Sequence, residues 1–332
     1  MKNINDLHRI GKSSRNIQSK KTKSFGYQVL GFGSGKAGED PVYVVATGGS
    51  IATVGDYKIH SFTGAGTFTV CSVGNSAGSN TVDYYVVAGG GGGGGDDGGG
   101  GGAGGFRESV PSPAAWTASP LANPGNARPV TATDYPIAVG GGGSGGPCGI
   151  GSAGSVSSFS DITSTGGGAG LRATPCSCAG DGGSGGGADV VAATGGSGNT
   201  PPVSPAPAQG TDGGNCDTPN ASGGGGGATA AGGPNTPPKT GGDGGAGATS
   251  EFSNSSVIKA GGGGGGANNV GGAGGPGGGG EGGDYPQPGN GNGTAGSTNS
   301  GGGGGAGGNN PQPSRAGGAG GSGIVIVRYK FQ

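Results

Sequence analysis

The stretch Val82-Asp-Tyr-Tyr-Val-Val-Ala-Gly-Gly-Gly-Gly-Gly-Gly-Gly95 decides the fold, because it passes without a break from a strand pattern into a run of glycines. Its residues Val82, Tyr84 and Val86 fall at every second position, which is typical of one face of a β-strand. The glycines that follow offer only backbone donors and acceptors. They must therefore stay solvated in a disordered chain, or satisfy those groups against other backbone segments.

Glycine dominates the composition, with 97 glycines and 22 prolines among 332 residues. A glycine and proline content above about 25–30% without a period usually indicates low-complexity disorder. Two observations weigh against disorder here. Charged residues make up only 11% of the chain, whereas disordered chains are usually rich in charge, and strand patterns stand on both sides of the glycine-rich part. The longest runs are Gly89–Gly95, Gly98–Gly102, Gly223–Gly227, Gly261–Gly266, Gly277–Gly280 and Gly301–Gly305.

An ordered arrangement of these runs is predicted to be polyglycine II. Collagen is excluded because the runs show no strict Gly-X-Y period. Like polyproline II, polyglycine II has three residues per turn, about 3.1 Å of rise per residue and no internal hydrogen bonds. Without Cβ atoms, such helices can form hydrogen bonds laterally. Proline-rich joints such as Pro111-Ser-Pro113 and Pro234-Asn-Thr-Pro-Pro238 separate the runs, which predicts an antiparallel bundle of glycine helices.

The remaining strand patterns predict a small antiparallel β-sandwich. Residues 41–88 contain several alternating segments bounded by Gly, Asn and Ser, a pattern typical of sandwich strands. The closing segment Ile324-Val-Ile-Val-Arg-Tyr-Lys-Phe331 alternates too, but it is too short to be stable alone, so we expect it to complete the same sheet. The predicted fold class is mainly β and irregular, a small antiparallel β-sandwich with a large inserted polyglycine II helix bundle.

The predicted domains follow from these patterns. They are residues 1–40 as a basic, extended N-terminal arm, residues 41–88 with 324–332 as the β-sandwich platform, and residues 89–323 as the glycine-rich polyglycine II region with proline-rich joints.

The arm is basic, although the whole chain has a net charge of −1. It is either a solvated tail or a segment docked on the acidic surface of a partner. Nucleic acid is the weaker alternative, because aromatic residues do not interleave with the basic ones. The residues that we expect to carry attachment are Lys20, Lys21, Lys23, Phe25 and Tyr27.

No group of residues predicts catalysis. The chain has two histidines, His8 and His60, and the sequence shows no pattern that would combine either of them with a carboxylate and a serine. We therefore expect neither an enzyme nor a cofactor. No apolar stretch approaches the roughly 20 residues that a membrane span needs. Aspartates beside glycines lack the repeated spacing of a calcium-binding loop and are better explained as turn caps. They are Asp96, Asp97, Asp181, Asp212, Asp243 and Asp284.

The five cysteines cannot all pair within one chain, because their number is odd. Disulfides between neighbouring glycine helices would stabilise a chain that has little apolar core. The Cys-Ser-Cys spacing is too tight for a zinc knuckle, so we predict no metal site. The cysteines are Cys71, Cys148, Cys176, Cys178 and Cys216, and their pairing stays open.

Three segments carry a resemblance to a known family. The strings from Ala46 to Val70, from Val82 to Gly91 and from Gly321 to Phe331 resemble a glycine-rich domain of bacteriophage tail-fibre and other virion proteins. The glycine-rich region is also similar to that of phage receptor-binding adhesins and, more distantly, of glycine-rich antifreeze proteins. The segment from Gln18 to Gly33 resembles the N-terminal arms of small virion proteins of marine phages. The resemblance implies a virion location and often a trimer, and it implies no catalytic residues.

The expected function is that of a phage virion appendage, similar to a tail fibre or an adhesin. The arm would anchor it to other virion proteins, and loops on the glycine bundle would contact a host-cell surface receptor. Two alternatives stay open: a capsid decoration or head-fibre protein without a receptor, and a glycine-rich ice-binding protein. Aromatic and Arg residues dominate binding hot spots, although each candidate could equally pack the ends of the bundle. The host-contact candidates are Phe106, Arg107, Trp116, Tyr135, Arg172, Phe252 and Tyr285.

Overall fold

The computed structural model describes residues 39–172, 179–190, 194–203, 207–217, 219–284, 291–308 and 315–332. The chain divides into two units, Met1–Pro41 and Val42–Gln332. The arm and its predicted anchor residues lie almost wholly outside the described residues. The architecture below is that of the second unit.

The described residues form β-strands and irregular segments and contain no helix, which confirms the predicted mainly β and irregular fold class. The strands are β1 (Val45–Thr47), β2 (Ser50–Val54), β3 (Tyr57–Phe62), β4 (Gly66–Ser72), β5 (Thr81–Val87), β6 (Phe106–Val110), β7 (Ala122–Pro124), β8 (Arg128–Pro129), β9 (Asp134–Ala138), β10 (Ser157–Phe159), β11 (Ile162–Ser164), β12 (Ala248–Ser250), β13 (Val257–Lys259) and β14 (Ile324–Lys330).

The larger sheet has seven strands. Six of them follow the order β2-β3-β14-β5-β6-β7, and the seventh, β8, pairs with β5. Strand β14 lies between β3 and β5 and is antiparallel to both, so that Val325 is opposite Phe62 on one side and Val86 on the other. The closing segment is therefore a central strand. As a result, the first and last residues of the glycine-rich region, which follow β5 and precede β14, lie next to each other.

The smaller sheet has five strands in the order β1-β4-β9-β10-β11, and β12 and β13 form a separate hairpin. Strands β6 to β13 all lie within residues 89–323, so the sheets extend beyond the residues 41–88 and 324–332 that the sequence indicated. Most of these added strands have only two or three residues. A period-2 pattern cannot be recognised over so short a length, and glycine runs stand on either side.

Two hydrophobic cores cover the two faces of the larger sheet. The inner core lies between the two sheets, where Phe68 and Phe159 of the smaller sheet meet Val325 and Val327 of the larger one. The outer core lies on the opposite face of the larger sheet and is centred on Tyr85. Because both faces are covered, β5, β6 and β14 are buried along almost their whole length.

The glycine runs are joined by backbone hydrogen bonds to other runs that are distant in the sequence. The amides of residues Gly89 to Gly94 donate, in order, to the carbonyl oxygens of Ser155, Gly321, Gly102, Ser152, Gly318 and Gly99, at 2.9–3.0 Å. The same three partner segments recur every three residues. Each partner number falls by three as the donor number rises by three, so these neighbours run antiparallel to the first run.

The carbonyls of this run face three further segments. The oxygens of residues Gly89 to Gly94 accept, in order, from the amides of Gly167, Gly143, Gly304, Gly170, Gly146 and Gly307, at 2.8–2.9 Å. Here the partner numbers rise by three with the run, so these neighbours are parallel to it. One run of glycines is thus surrounded by six segments, and its backbone groups are satisfied by lateral bonds alone. We call this array of mutually bonded runs the glycine lattice.

Close approach of backbones explains why these positions are glycine. A Cβ atom built on any residue from Gly89 to Gly94 would lie under 3.0 Å from a carbonyl oxygen of a neighbouring run. The lattice is not equally dense everywhere. A Cβ atom on Gly141 meets nothing within 4 Å, whereas one on Gly143, two residues later in the same run, meets the carbonyl oxygen of Ser152. The lattice therefore has an interior and a surface within a single run.

Candidate functional site

A buried arginine joins the larger sheet to the loop that follows β6. The guanidinium carbon of Arg328 lies 4.1 Å from the ring centre of Trp116 and 4.6 Å from that of Tyr57. Its Nη1 donates to the carbonyl oxygen of Phe252 at 2.9 Å. The side chain is 4% exposed. Because a desolvated cation between two aromatic faces is attracted to both, this stack fixes the loop around Trp116 on the sheet.

A buried carboxyl lies beside this arginine. Asp83 on β5 is opposite Arg328 on β14, and its Oδ1 accepts from the hydroxyl of Ser109 at 2.7 Å. Burial raises the pKa of Asp83 to about 6, against the opposing effects of the Ser109 hydrogen bond and the Arg328 charge. The carboxyl therefore keeps its proton to a higher pH than a solvated aspartate does.

A second buried carboxyl organises the other side of the Trp116 loop. Glu108 accepts from the Ser250 hydroxyl at 2.7 Å and from the Ser119 amide at 3.1 Å. The indole Nε1 of Trp116 donates to the same carboxyl at 3.4 Å. Burial raises the pKa of Glu108, although these hydrogen bonds lower it. Glu108 thus ties strand β12 and the loop after β6 to the sheet.

A cavity of about 330 Å³ opens next to these groups, at the end of the larger sheet. Tyr57, Thr81, Asp83 and Lys330 belong to the sheet strands that line it. Residues of the loops at 78–79, 111–112 and 125–127 complete the wall. Tyr57 is shared between the cavity and the stack on Arg328, so the cavity wall is anchored by the buried cluster.

Three of the predicted host-contact residues are core residues instead. Phe106 and Phe252 are each 1% exposed, and Arg107 is 9% exposed. Phe106 packs edge-on against Tyr85 at 5.0 Å, and Phe252 lies 5.5 Å from the same ring. Phe106 and Phe252 belong to the outer core, whereas Arg107 is opposite Val86 of the inner core and donates to the Thr163 carbonyl oxygen of the smaller sheet at 3.5 Å. The three side chains are therefore buried, which corrects the expectation that they lie on exposed loops.

The other predicted contact residues are more accessible. Trp116 is half-buried and packs edge-on against Phe252 at 5.2 Å, so it comes together with two of the buried candidates. Tyr135 lies in the smaller sheet against Phe159 and accepts from the Thr131 amide at 2.8 Å.

Arg172 pairs with Asp96 at 2.8 Å and also donates to the carbonyl oxygen of Cys148. It therefore joins ends of separate lattice segments. Tyr285 lies outside the described residues. Among the predicted contact residues that the structure describes, Phe106, Trp116 and Phe252 are the ones that lie together.

Five of the six aspartates beside glycines cap the lattice. Each of these five accepts, through Oδ1, an amide of a separate segment at 2.5–2.8 Å. The pairs are Asp96 with Arg315, Asp181 with Ser197, Asp212 with Gly198, Asp243 with Ala273, and Asp284 with Gly271. A short carboxylate thus supplies the acceptor that a neighbouring glycine run supplies elsewhere. Among the described residues, no three His, Cys, Asp or Glu side chains are grouped as a metal site would require.

The one histidine of the described residues is buried, and two of the cysteines are exposed. His60 is fully buried, with Nδ1 2.7 Å from the Gly48 carbonyl oxygen and Nε2 3.2 Å from the Tyr329 hydroxyl, and burial lowers its pKa. Cys71 and Cys148 are exposed free thiols, while Cys176 and Cys178 lie outside the described residues. The described part of the chain has no helix long and apolar enough to cross a membrane.

Sequence reasoning did not identify Asp83, Glu108 and Arg328 as one cluster. A signal was present for two of them, because Asp83 and Arg328 are charged residues within otherwise apolar strand patterns, and neighbouring strands place such residues opposite each other. Glu108 had no such signal, since the sequence does not indicate a strand at β6.

A family model described as a glycine-rich domain matches residues 62–330. The comparison with curated proteins gives no match.

Proposed function

This chain belongs to the glycine-rich domain family, and we propose that it is a bacteriophage virion appendage that acts by binding, as a tail fibre or an adhesin does. The virion location and the phage source come from the resemblance of the segments around Val82 and Ile324 to virion glycine-rich domains. Membership of the family by itself indicates neither a phage source nor a virion location. In this proposal the protein is not an enzyme and needs no cofactor.

The observation that carries the proposal is the three-residue period of the hydrogen bonds between glycine runs. Three residues per turn without internal hydrogen bonds is the geometry of the polyproline II class, which supports a polyglycine II bundle over residues 89–323. In such a bundle the backbone groups are bonded laterally, so the array is rigid. It presents few side chains, which suits a scaffold that displays loops better than a catalytic site.

The connection between the two regions supports the same function. Val87 is opposite Ile324 in the larger sheet, so the bundle leaves and re-enters the sandwich platform at adjacent positions. A rigid insertion with both ends fixed on one sheet keeps its loops at a defined distance from the platform. We propose residues 41–88 and 324–332, with the short strands described above, as that platform.

The proposed partners follow the resemblance. The arm of residues 1–40, with the basic and aromatic residues between Lys20 and Tyr27, would attach the protein to other virion proteins. Exposed parts of the loops would contact a receptor on the host cell, and three copies would form a homotrimer. Neither nucleic acid nor a membrane span has a role in this proposal.

The test is to locate the protein on the particle. Phage particles that carry the protein would be imaged by electron cryomicroscopy, and its copy number per particle would be measured by quantitative mass spectrometry. The expected result is a small number of copies at the tail. Tens to hundreds of copies on the head would favour a decoration or head-fibre role. Absence from particles, together with thermal hysteresis of the purified protein, would favour ice binding and overturn the proposal.

A further inference from the structure

We infer that the cavity at the end of the larger sheet, lined by Tyr57, Thr81 and Asp83, is a binding site for a neutral sugar. The inference deepens the host-attachment function proposed above and rests on it for the source of the sugar, a glycan of the host surface. The binding itself is a property of the isolated chain.

The size and the mixed lining of the cavity fit a small polar ligand. Its volume of about 330 Å³ lies at the lower end of the range of about 300–1,000 Å³ that is usual for ligand sites. The lining includes the aromatic or apolar residues Tyr57, Pro111 and Ala127 and the hydroxyl residues Thr81 and Ser112. A sugar ring needs both, because its C–H faces pack on apolar and aromatic surface and its hydroxyls require hydrogen-bond partners.

The charges around the cavity favour a neutral ligand over a charged one. An anion would meet the carboxyl of Asp83, which lines the wall. A cation would meet Lys330 in the same wall, with the Arg328 guanidinium behind the Tyr57 ring. Each ionic ligand therefore meets one like charge in or beside a partly desolvated site, which is costly. A hydroxyl can both donate and accept, so a polyol suits a wall that carries an acidic and a basic residue; the Lys330 ammonium itself lies 5.9 Å from the ring centre of Tyr43.

The acceptor in this wall is held in place before any ligand arrives. The Tyr84 amide donates to Ser109 Oγ at 3.0 Å, and that hydroxyl donates to Asp83 Oδ1 at 2.7 Å. A carboxylate has two oxygens and about four acceptor positions, so the bond from Ser109 leaves acceptor capacity for a ligand. The aromatic wall is fixed as well, because Tyr57 is stacked on Arg328 at 4.6 Å. Preorganised groups of this kind lower the entropic cost of binding.

The only tryptophan of the chain reports on the site. Trp116 lies 6.0 Å from Tyr57 in an edge-on contact, so occupation of the cavity should change its fluorescence. The full-length protein would be titrated with neutral sugars (glucose, galactose and N-acetylglucosamine, and short oligomers of them) while Trp116 emission is followed. Saturation-transfer NMR on the same samples would detect bound sugar protons independently of the fluorophore.

Two variants and one control make the test specific. Ala127→Phe fills the cavity and should weaken sugar binding at least about tenfold. Thr81→Val keeps the side-chain shape, removes one hydroxyl and should weaken binding about three- to tenfold. Ala52→Phe adds the same bulk at an exposed position on β2 and should leave binding unchanged. Circular dichroism would verify that all three variants are folded.

The outcomes separate this inference from the proposed function. Saturable binding of a neutral sugar that is lost in Ala127→Phe supports the site, whether or not the protein is found on particles. Lack of saturable binding to every neutral sugar overturns the inference, as does binding that Ala127→Phe leaves unchanged. Binding of charged sugars or peptides alone would also contradict it. A protein found at the phage tail that binds no sugar would retain the attachment function and lose this site.

Discussion

The sandwich platform and the glycine lattice satisfy the same requirement, a buried backbone without unpaired polar groups, by opposite means. In the platform, large side chains such as Phe68 and Val327 fill the space between two sheets, and backbone pairing is confined to adjacent strands. In the lattice, the interior holds few side chains and most of them are small, such as those of Ala306 and Ser184, and each backbone bonds to neighbours all round it. The platform should therefore be sensitive to the removal of side-chain atoms, and the lattice to their addition.

The largest expected effect is a deletion in the platform. Phe68 is fully buried and lies within 6.5 Å of the rings of His60, Tyr135, Phe159 and Tyr329. Phe68→Ala removes these contacts and leaves a cavity, so we expect a loss of about 3–5 kcal/mol in the free energy of unfolding. Chemical denaturation of the full-length protein measures it. Phe68→Leu is the conservative control and should cost clearly less. Equal costs would mean that the space between the sheets is not closely packed.

The next effect is an insertion in the lattice. Gly143→Val places a Cβ under 3.0 Å from the carbonyl oxygen of Ser152, where the two backbones must separate. Strain from overpacking and the loss of lateral hydrogen bonds should together cost about 2–4 kcal/mol.

Gly141→Val is the matched control, because its Cβ meets nothing within 4 Å. It should change stability by less than about 1 kcal/mol. If the two substitutions had the same small effect, the lattice would not be a packed structure and the rigid scaffold would have to be abandoned.

The contrast between the two regions also explains what the sequence could predict. In the platform, alternating residues from Val82 to Val87 and from Ile324 to Phe331 indicate strands and faces, since side chains carry the information on pairing. In the lattice, the composition indicates that glycine runs must bond to other runs. It does not indicate which ones, because Gly92 and Gly302 have no side chain to distinguish one partner from another.

The candidate site, too, could be predicted from the sequence only in part. The sequence singles out Trp116, Phe106 and Phe252 because large side chains are rare among glycines, and rarity does not separate a contact residue from a core residue. Their grouping with Glu108 depends on strands β6 and β12, which have five and three residues and no recognisable pattern. Only the opposite charges of Asp83 and Arg328, in strands that the sequence did indicate, pointed to part of the cluster.

The buried carboxyl of the platform predicts a dependence of stability on pH. Burial raises the pKa of Asp83 from 3.8 to about 6, so the folded protein binds this proton more tightly than the unfolded chain. The contribution of Asp83 is therefore most favourable below pH 3.8 and is lost as the pH rises towards 6, by about 2–3 kcal/mol. The folded-state groups that act on Asp83 are Ser109, Arg328 and Glu108.

Two variants measure this contribution. Asp83→Asn cannot ionise, so its stability relative to the wild type should rise by about 2–3 kcal/mol between pH 4 and pH 7. Ser109→Ala removes the hydrogen bond that lowers the pKa of Asp83, and the loss should then extend to higher pH. Urea denaturation at intervals of half a pH unit gives both curves. A difference between Asp83→Asn and wild type that does not vary with pH would contradict the assignment.

The smallest effect concerns the rim of the lattice, where a side chain replaces a backbone acceptor. Asp243 accepts the amide of Ala273 through Oδ1 at 2.8 Å, in an exposed position. Asp243→Ala removes the acceptor and leaves the amide to water, which should cost about 0.5–1.5 kcal/mol. Asp243→Asn keeps an acceptor oxygen of the same reach and should cost less.

Amide hydrogen exchange at Ala273, followed by NMR, should become faster in Asp243→Ala and stay close to wild type in Asp243→Asn. Faster exchange in both variants would show that the charge of Asp243, rather than the presence of an acceptor, protects this amide. Unchanged exchange in Asp243→Ala would mean that the neighbouring runs alone close the lattice at its rim. The aspartates would then be solvated residues without a structural role.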